Sequence, residues 1–91
     1  MQDLVLLFKA LADETRQEIL SLLLEEEMNV GDICEKFNTS QPTISHHLHI
    51  LKNCDLVATR KQGKLVYYYV KRKAVDGAFK VIIEKFQIKI G

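Results

Sequence analysis

The stretch SQPTISHHLHILK, residues Ser40–Lys52, decides the fold, because it combines a helix start with an apolar stripe and a polar face. Ser40 is a favourable N-cap, and Pro42 falls in the first turn, where its missing N–H needs no partner. At 100° per residue, three apolar side chains fall within about 60° of arc and define the buried side: Ile44, Leu48 and Leu51. The stretch is therefore predicted to form an amphipathic helix.

Three histidines crowd this helix, and they indicate either a metal site or a donor-rich outer face. His46 points away from the buried side, His49 also faces outward, and His47 lies at the edge of the apolar stripe, so the three rings do not converge. A zinc ion held by His46 and His49 would need a further ligand, and the helix carries no cysteine or acid to supply it. We predict no metal site here. We expect His47 to pack or hydrogen-bond within the domain; the alternative for His47 is a contact to a DNA phosphate.

The outward polar face of this helix offers hydroxyl, amide and imidazole groups. Such groups hydrogen-bond to the base edges and phosphates of DNA. The predicted contact residues are Ser40, Gln41, Thr43, Ser45 and His46.

Three further helices are predicted before this stretch. The first covers residues from about 3 to 11 and is apolar on one face. The second follows Asp13 as N-cap, and Arg16 shares its stripe with four apolar residues. Asn29 can cap the third, with Asp32 favourably placed in its first turn. Two short helices joined by a tight turn then form a helix-turn-helix.

After Leu56 the period changes from helical to alternating. Residues 56–60 and 65–70 predict two strands around a turn that contains Gly63. A C-terminal helix of about residues 72–90 follows, with a wide apolar stripe. The predicted fold is mainly α with a small β-hairpin wing, a winged helix-turn-helix in the order α-α-α-α-β-β-α, and residues 1–91 form a single domain.

Charge is distributed unevenly along the 91 residues, although the net charge is only +1. Residues 1–35 carry nine acids against two bases, whereas residues 36–91 carry eleven bases against three acids. A basic half suggests a polyanionic partner; the alternative is an unevenly charged solvated surface. Basic residues at the tip of the hairpin, which we expect to contact DNA, are Arg60, Lys61 and Lys64.

Several classes of protein are disfavoured by the sequence. No apolar run is long enough to span a bilayer, and no basic leader with a small-residue end is present, so we expect a cytoplasmic protein without a membrane partner. Two cysteines in no disulfide-dense pattern fit a reducing compartment. No nucleophile–base pair, glycine-rich phosphate loop or carboxylate pair occurs at usable spacing. We therefore predict neither an enzyme nor a cofactor.

Three motifs together resemble the ArsR/SmtB family of winged-helix repressors: FKALADETR (residues 8–16), SQPTISHHLHILK (40–52) and RKQGKLVYYYV (60–70). One departure is Glu14, where the family usually has proline. The resemblance implies a homodimeric repressor that binds a palindromic, inverted-repeat operator in double-stranded DNA and is released in many members by an inducer. It also assigns the polar face of the 40–52 helix and residues Arg60 to Lys64 to DNA contacts.

The sensor sites of the family are where this sequence departs from the resemblance. The positions of its Cys-x-Cys pair hold Asn29 and Gly31, and Cys54 has Ile50 at the position of its metal-binding partner. The positions of its C-terminal metal ligands hold Arg72, Ala74, Lys85 and Ile88. We therefore predict a repressor without these metal sites and with an unknown inducer. The alternatives are a thiol- or metal-responsive repressor that uses Cys34 or Cys54, and a winged-helix module for protein interactions.

Both terminal helices carry more apolar surface than so small a chain can cover. Pairing between two subunits would bury it; the alternative is a terminal helix that folds back on its own domain. A two-fold dimer would place two recognition helices about 34 Å apart on DNA. The predicted interface residues are Leu4, Leu7, Phe8, Phe79, Ile82, Ile83 and Phe86.

Overall fold

A computed structural model describes residues 4–89 and shows a winged helix-turn-helix, as predicted. Helices α3 and α4 form the helix-turn-helix, and strands β2 and β3 form the wing that follows it. The elements, in chain order, are α1 (Leu4–Leu11), α2 (Glu14–Glu25), β1 (Met28–Asn29), α3 (Val30–Phe37), α4 (Gln41–Asn53), β2 (Val57–Gln62), β3 (Leu65–Val70) and α5 (Arg72–Phe86).

The sheet contains a third strand that the sequence analysis missed. Its antiparallel order is β1-β3-β2, and β1 pairs Met28 with Tyr68 and Asn29 with Tyr67. Two residues give no alternation to detect, and Asn29 carries the stronger signal of a helix cap. The predicted element order was wrong on this point, and the extra strand ties the base of the wing to the end of α2.

The predicted helix starts are confirmed by their hydrogen bonds. The Asp13 carboxylate accepts from the backbone N–H of Arg16 at 3.0 Å. Asn29 and Asp32 form a reciprocal capping box at the start of α3. The Ser40 hydroxyl accepts from the backbone N–H of Thr43 at 3.4 Å, with Pro42 in the first turn of α4. Each cap satisfies an N–H group that has no partner within its own helix.

The hydrophobic core draws on every helix and on the sheet. Helix α4 contributes the three residues that the sequence placed on its buried side, and each is fully buried. Leu7 of α1 also lies in this core, at 1% exposure. The buried apolar residues are Leu7, Ala10, Ile19, Leu23, Met28, Ile33, Ile44, Leu48, Leu51, Cys54, Leu56, Val57, Val70 and Ala78.

Helix α5 is shorter than the predicted 72–90. Gln87 adopts a left-handed conformation, and the N–H of Ile88 donates to the carbonyl of Ile83 at 3.0 Å, which ends the helix at Phe86. Residue 90, the end of the predicted helix, lies outside the described residues. Arg72 anchors the start of α5 by donating to the carbonyl of Leu24 at 2.5 Å. Among residues 4–89, no helix is long and apolar enough to cross a membrane.

Candidate nucleic-acid interface

Helix α4 presents one polar face to solvent because Ile44, Leu48 and Leu51 point the other way. Gln41, Thr43 and His46 are exposed, and Ser45 is half-buried on the flank. At the helix start the Ser40 and Thr43 hydroxyl oxygens lie 2.9 Å apart. No acidic residue occurs in α4, so nothing on this helix would repel a phosphate. The face supplies amide, hydroxyl and imidazole groups suited to base edges and phosphates.

The three histidines have different environments, as their spacing predicted. His46 is exposed, and its ring centroid lies 6.0 Å from that of His47. His47 turns inward, where Arg16 Nη1 lies 3.1 Å from its Nδ1 atom. His49 Nε2 lies 3.1 Å from Asn53 Nδ2 on the same helix. Within residues 4–89, no group of three or more His, Cys, Asp or Glu side chains is arranged to hold a metal ion.

The wing is a hairpin with a two-residue turn, Gly63–Lys64. Strands β2 and β3 pair up to Gln62 and Leu65, which places the turn at the far end of the ribbon. Gly63 has φ +61°, a conformation that side-chain-bearing residues rarely adopt. Lys61 and Lys64 are both exposed near this tip. Their ammonium groups are therefore available to the backbone of a nucleic acid.

Arg60 differs from the two lysines, because its guanidinium is already engaged at the base of the wing. It pairs with the carboxylate of Glu27, donates to Gln62 Oε1 at 2.8 Å and lies 4.8 Å from the ring centroid of Tyr67. The side chains of Arg60 and Glu27 each remain 43% exposed. Sequence analysis missed Glu27, since it lies 33 residues from Arg60 and no local pattern links the two.

The two terminal helices meet and join their apolar residues into one surface. The rings of Phe8 on α1 and Phe86 on α5 lie 6.4 Å apart, centroid to centroid. Both rings remain largely exposed, as does Phe79. Leu7 does not contribute to it, because Leu7 is buried in the core of the single chain. We call the following residues the terminal apolar surface: Leu4, Phe8, Phe79, Ile82, Ile83 and Phe86.

The two cysteines differ in burial. Cys34 is half-buried and packs against the core, whereas Cys54 is buried and its Sγ donates to the carbonyl of Leu51 at 3.4 Å. Burial raises the pKa of the Cys54 thiol above its ordinary value. Cys54 therefore stays protonated at neutral pH, whereas nucleophilic attack and metal binding both require the thiolate.

Arg16 is a residue of this region whose importance the sequence analysis missed. It lies on the buried stripe of α2, yet its guanidinium reaches the inward side of α4 through His47. The signal in the sequence was an arginine among apolar residues, because a charged group is rarely buried unless it is paired.

Comparisons with known proteins show which family the chain belongs to. The model of bacterial regulatory proteins of the arsR family matches residues 13–59. The chain is 49% identical over 61 residues to the transcriptional repressor SdpR of Bacillus subtilis (strain 168), an alignment that covers 67% of this chain and 68% of SdpR. It is 45% identical over 82 residues to the arsenical resistance operon repressor of Escherichia coli (strain K12), covering 89% of this chain and 70% of that repressor.

A solved structure agrees with these sequence matches. The ArsR-like transcriptional regulator from Rhodococcus sp. RHA1 superimposes with a TM-score of 0.83 at 28% identity, covering 92% of this chain and 78% of that one. The chain therefore belongs to the arsR family of bacterial regulatory proteins, and it is a DNA-binding transcriptional regulator rather than an enzyme.

Proposed function

We propose that the protein is a homodimeric repressor that binds an inverted-repeat operator through α4 and the wing of each protomer. The observation that carries this proposal is the outer face of α4, which is polar, exposed and free of acidic residues. In a helix-turn-helix the second helix lies in the major groove, where side chains of this kind read base edges. The proposed contacts from α4 are Ser40, Gln41, Thr43, Ser45 and His46.

The wing would supply contacts to the DNA backbone. Lys61 and Lys64 are exposed near a narrow tip, so they can approach phosphates beside the major groove. Arg60 is included in this proposal, but it would have to exchange its ion pair with Glu27 for a phosphate. Because phosphate contacts release counterions, the affinity should fall steeply as salt concentration rises.

Dimerisation would use the terminal apolar surface. Three phenylalanine rings on α1 and α5 are largely exposed, and exposed aromatic clusters of this kind mark interaction sites. A second copy of the chain would cover them in a two-fold arrangement. The two α4 helices could then enter successive major grooves about 34 Å apart, which matches an inverted repeat.

The repressor would lack the usual metal-sensing ligands of its family. Asn29 serves as a helix cap, and Ile50 cannot coordinate a metal ion. The positions of the family's C-terminal metal ligands offer an arginine, an alanine, a lysine and an isoleucine, none of them a thiolate or imidazole. A different inducer, or the concentration of the protein itself, would control release.

Fluorescence anisotropy tests the proposal, with a duplex selected by the wild-type protein from a random pool and a scrambled duplex as the non-specific control. His46→Ala should weaken binding to the selected duplex more than to the scrambled one. Lys64→Ala should weaken both alike and reduce the slope of log affinity against log salt by about 1. His49→Ala is the matched control, because His49 lies on the same helix outside the proposed contacts.

Three outcomes would contradict the proposal. The first is full affinity in both His46→Ala and Lys64→Ala. The second is a selected duplex without an inverted repeat. The third concerns metals: release of the preformed complex by one equivalent of zinc or cadmium would show that a metal site exists after all.

A further inference from the structure

Arg16 is partly buried, although it carries a charge. Its side chain is 13% exposed, and its guanidinium is surrounded by four oxygen or nitrogen acceptors. Nε donates to the carbonyl of Ala10 at 2.7 Å, and Nη2 donates to the carbonyl of Lys9 at 2.9 Å. Nη1 lies 3.1 Å from Nδ1 of His47 and 3.9 Å from the Asp13 carboxylate.

Two of these contacts fix the end of α1. Lys9 and Ala10 lie in its last turn, where carbonyl groups have no partner within the helix. The planar guanidinium satisfies both at once, and a positive charge at this end is favoured by the helix dipole. Lysine, with a single ammonium group, could not hold the same geometry.

The third contact fixes the orientation of His47. A guanidinium can only donate hydrogen bonds, so Nδ1 of His47 accepts in this contact. Its ring orientation is set by a residue of α2, 31 positions earlier in the chain.

Through these contacts, one side chain of α2 joins the helix of the proposed dimer interface to the helix of the proposed DNA interface. Lys9 directly follows Phe8, which belongs to the terminal apolar surface. His47 directly follows His46, which lies on the outer side of α4. The orientation of α4 relative to the dimer axis would determine whether two recognition helices match the spacing of two half-sites.

We propose that Arg16 is a positioning residue for operator recognition, which holds α4 at a fixed orientation to α1 by donating a hydrogen bond to Nδ1 of His47. This inference rests on the proposed dimeric repressor. Neither Arg16 nor His47 contacts DNA in this account. Arg16 and His47 would affect how well the two α4 helices of a dimer fit two half-sites at once. They would not change the affinity of one α4 helix for a single half-site.

The test compares His47→Asn with His47→Leu. Asparagine places a carbonyl oxygen close to the position of Nδ1 and keeps an acceptor for Arg16, whereas leucine removes it. His47→Asn should bind the inverted-repeat duplex within about threefold of the wild type, and His47→Leu should bind it at least about tenfold more weakly, a loss typical of a buried hydrogen bond to a charged group. Binding to a duplex with a single half-site should change by less than about threefold in both variants.

Arg16→Lys completes a double-mutant cycle. If the two residues act as one unit, adding His47→Leu to Arg16→Lys should cause little further loss. Urea denaturation and sedimentation establish whether each variant is folded and dimeric. Should Arg16→Lys fail to fold, the two His47 variants decide the question by themselves.

Three results would overturn the inference. One is wild-type binding by His47→Leu; another is an equal loss in His47→Asn and His47→Leu. The third is an equal loss on the single and double half-sites, which would make His47 a direct DNA contact. Each is distinct from failure of the proposed function, in which the wild-type protein itself would be monomeric or would not prefer the inverted repeat.

Discussion

Helices α4 and α5 are similar in length and are both amphipathic. The chain fully buries three large apolar side chains of α4, but it leaves large apolar side chains of α5 exposed. Helix α4 has 13 residues, begins with a Ser40 cap and buries three large side chains completely. Helix α5 has 15 residues, has no side-chain hydrogen bond at its N-cap and buries only Ala78. Its rings at Phe79 and Phe86 are 48% and 55% exposed.

The difference shows which apolar surfaces the chain itself covers and which it leaves exposed. The apolar side of α4 faces α2, α3 and the sheet, so the single chain holds in place the helix that we propose reads DNA. The apolar side of α5 meets α1 at Phe8 and packs Val75 and Ile82 partly against the core, but Phe79 and Phe86 remain exposed. A small chain has too little surface to cover every amphipathic helix, and the uncovered one lies at its end.

The largest effect is expected from the buried side of α4. Leu48→Ala leaves a cavity in a closely packed core and should lower the free energy of unfolding by about 2–5 kcal/mol. Urea denaturation at fixed protein concentration measures this loss. Leu65→Ala on the exposed wing is the control and should change stability by less than about 1 kcal/mol. A small loss in Leu48→Ala would mean that α4 is not held by the chain alone.

The next effect concerns the open side of α5. Phe86→Glu places a charge on the terminal apolar surface and should weaken dimerisation at least about tenfold, because the burial of a phenylalanine is lost in both subunits. Gly77→Glu is the matched control: it introduces the same charge on the opposite side of α5, where nothing lies within 4 Å of an added Cβ. Sedimentation over a dilution series measures both variants. Equal dimerisation in both would remove α5 from the interface.

A smaller effect on stability is expected from loss of a side-chain N-cap, which α2 has and α5 lacks. Asp13→Ala removes the cap of α2 and should lower stability by about 1 kcal/mol, whereas Asp13→Asn keeps a capping oxygen. The hydrogen bond from the Arg16 backbone N–H holds the pKa of Asp13 below its ordinary value of 3.8, despite an opposing contribution from desolvation.

The pH dependence of that cap follows from the direction of the shift. A carboxylate with a lowered pKa in the folded state stabilises the protein above its unfolded pKa, and this contribution is lost as pH falls through the folded pKa. The wild type should therefore lose stability relative to Asp13→Asn below about pH 4. Parallel stability curves for the two proteins would contradict this role of the charge.

The smallest effect is expected at the base of the wing. Glu27→Gln removes the ion pair with Arg60, and because both side chains are 43% exposed the stability should change by less than about 1 kcal/mol. Glu26→Gln is the control, with the same charge change at the neighbouring position. Released Arg60 should raise affinity for non-specific DNA about two- to threefold over that control. Unchanged affinity would indicate that Arg60 does not reach the phosphates.

Much of the fold could be predicted because its signals are local. The caps at Asp13, Asn29 and Ser40 act within three residues, and the stripe of α4 repeats within one or two turns. The two-residue strand β1 was missed because its pairing with β3 is not encoded in its own sequence. The end of α5 was misplaced because Gln87, and not a glycine, takes the left-handed conformation.

In the candidate nucleic-acid interface, too, some features follow from local sequence and others only from tertiary packing. The sequence alone determined which residues of α4 face outward and that basic residues gather at the wing, since periodicity and turn chemistry act over a few residues. Only the tertiary structure decided that Arg60 is held by Glu27, that Leu7 is buried within its own protomer and that Arg16 reaches His47. These contacts join residues that are distant in the chain, and packing of the elements, not the local pattern, brings such residues together.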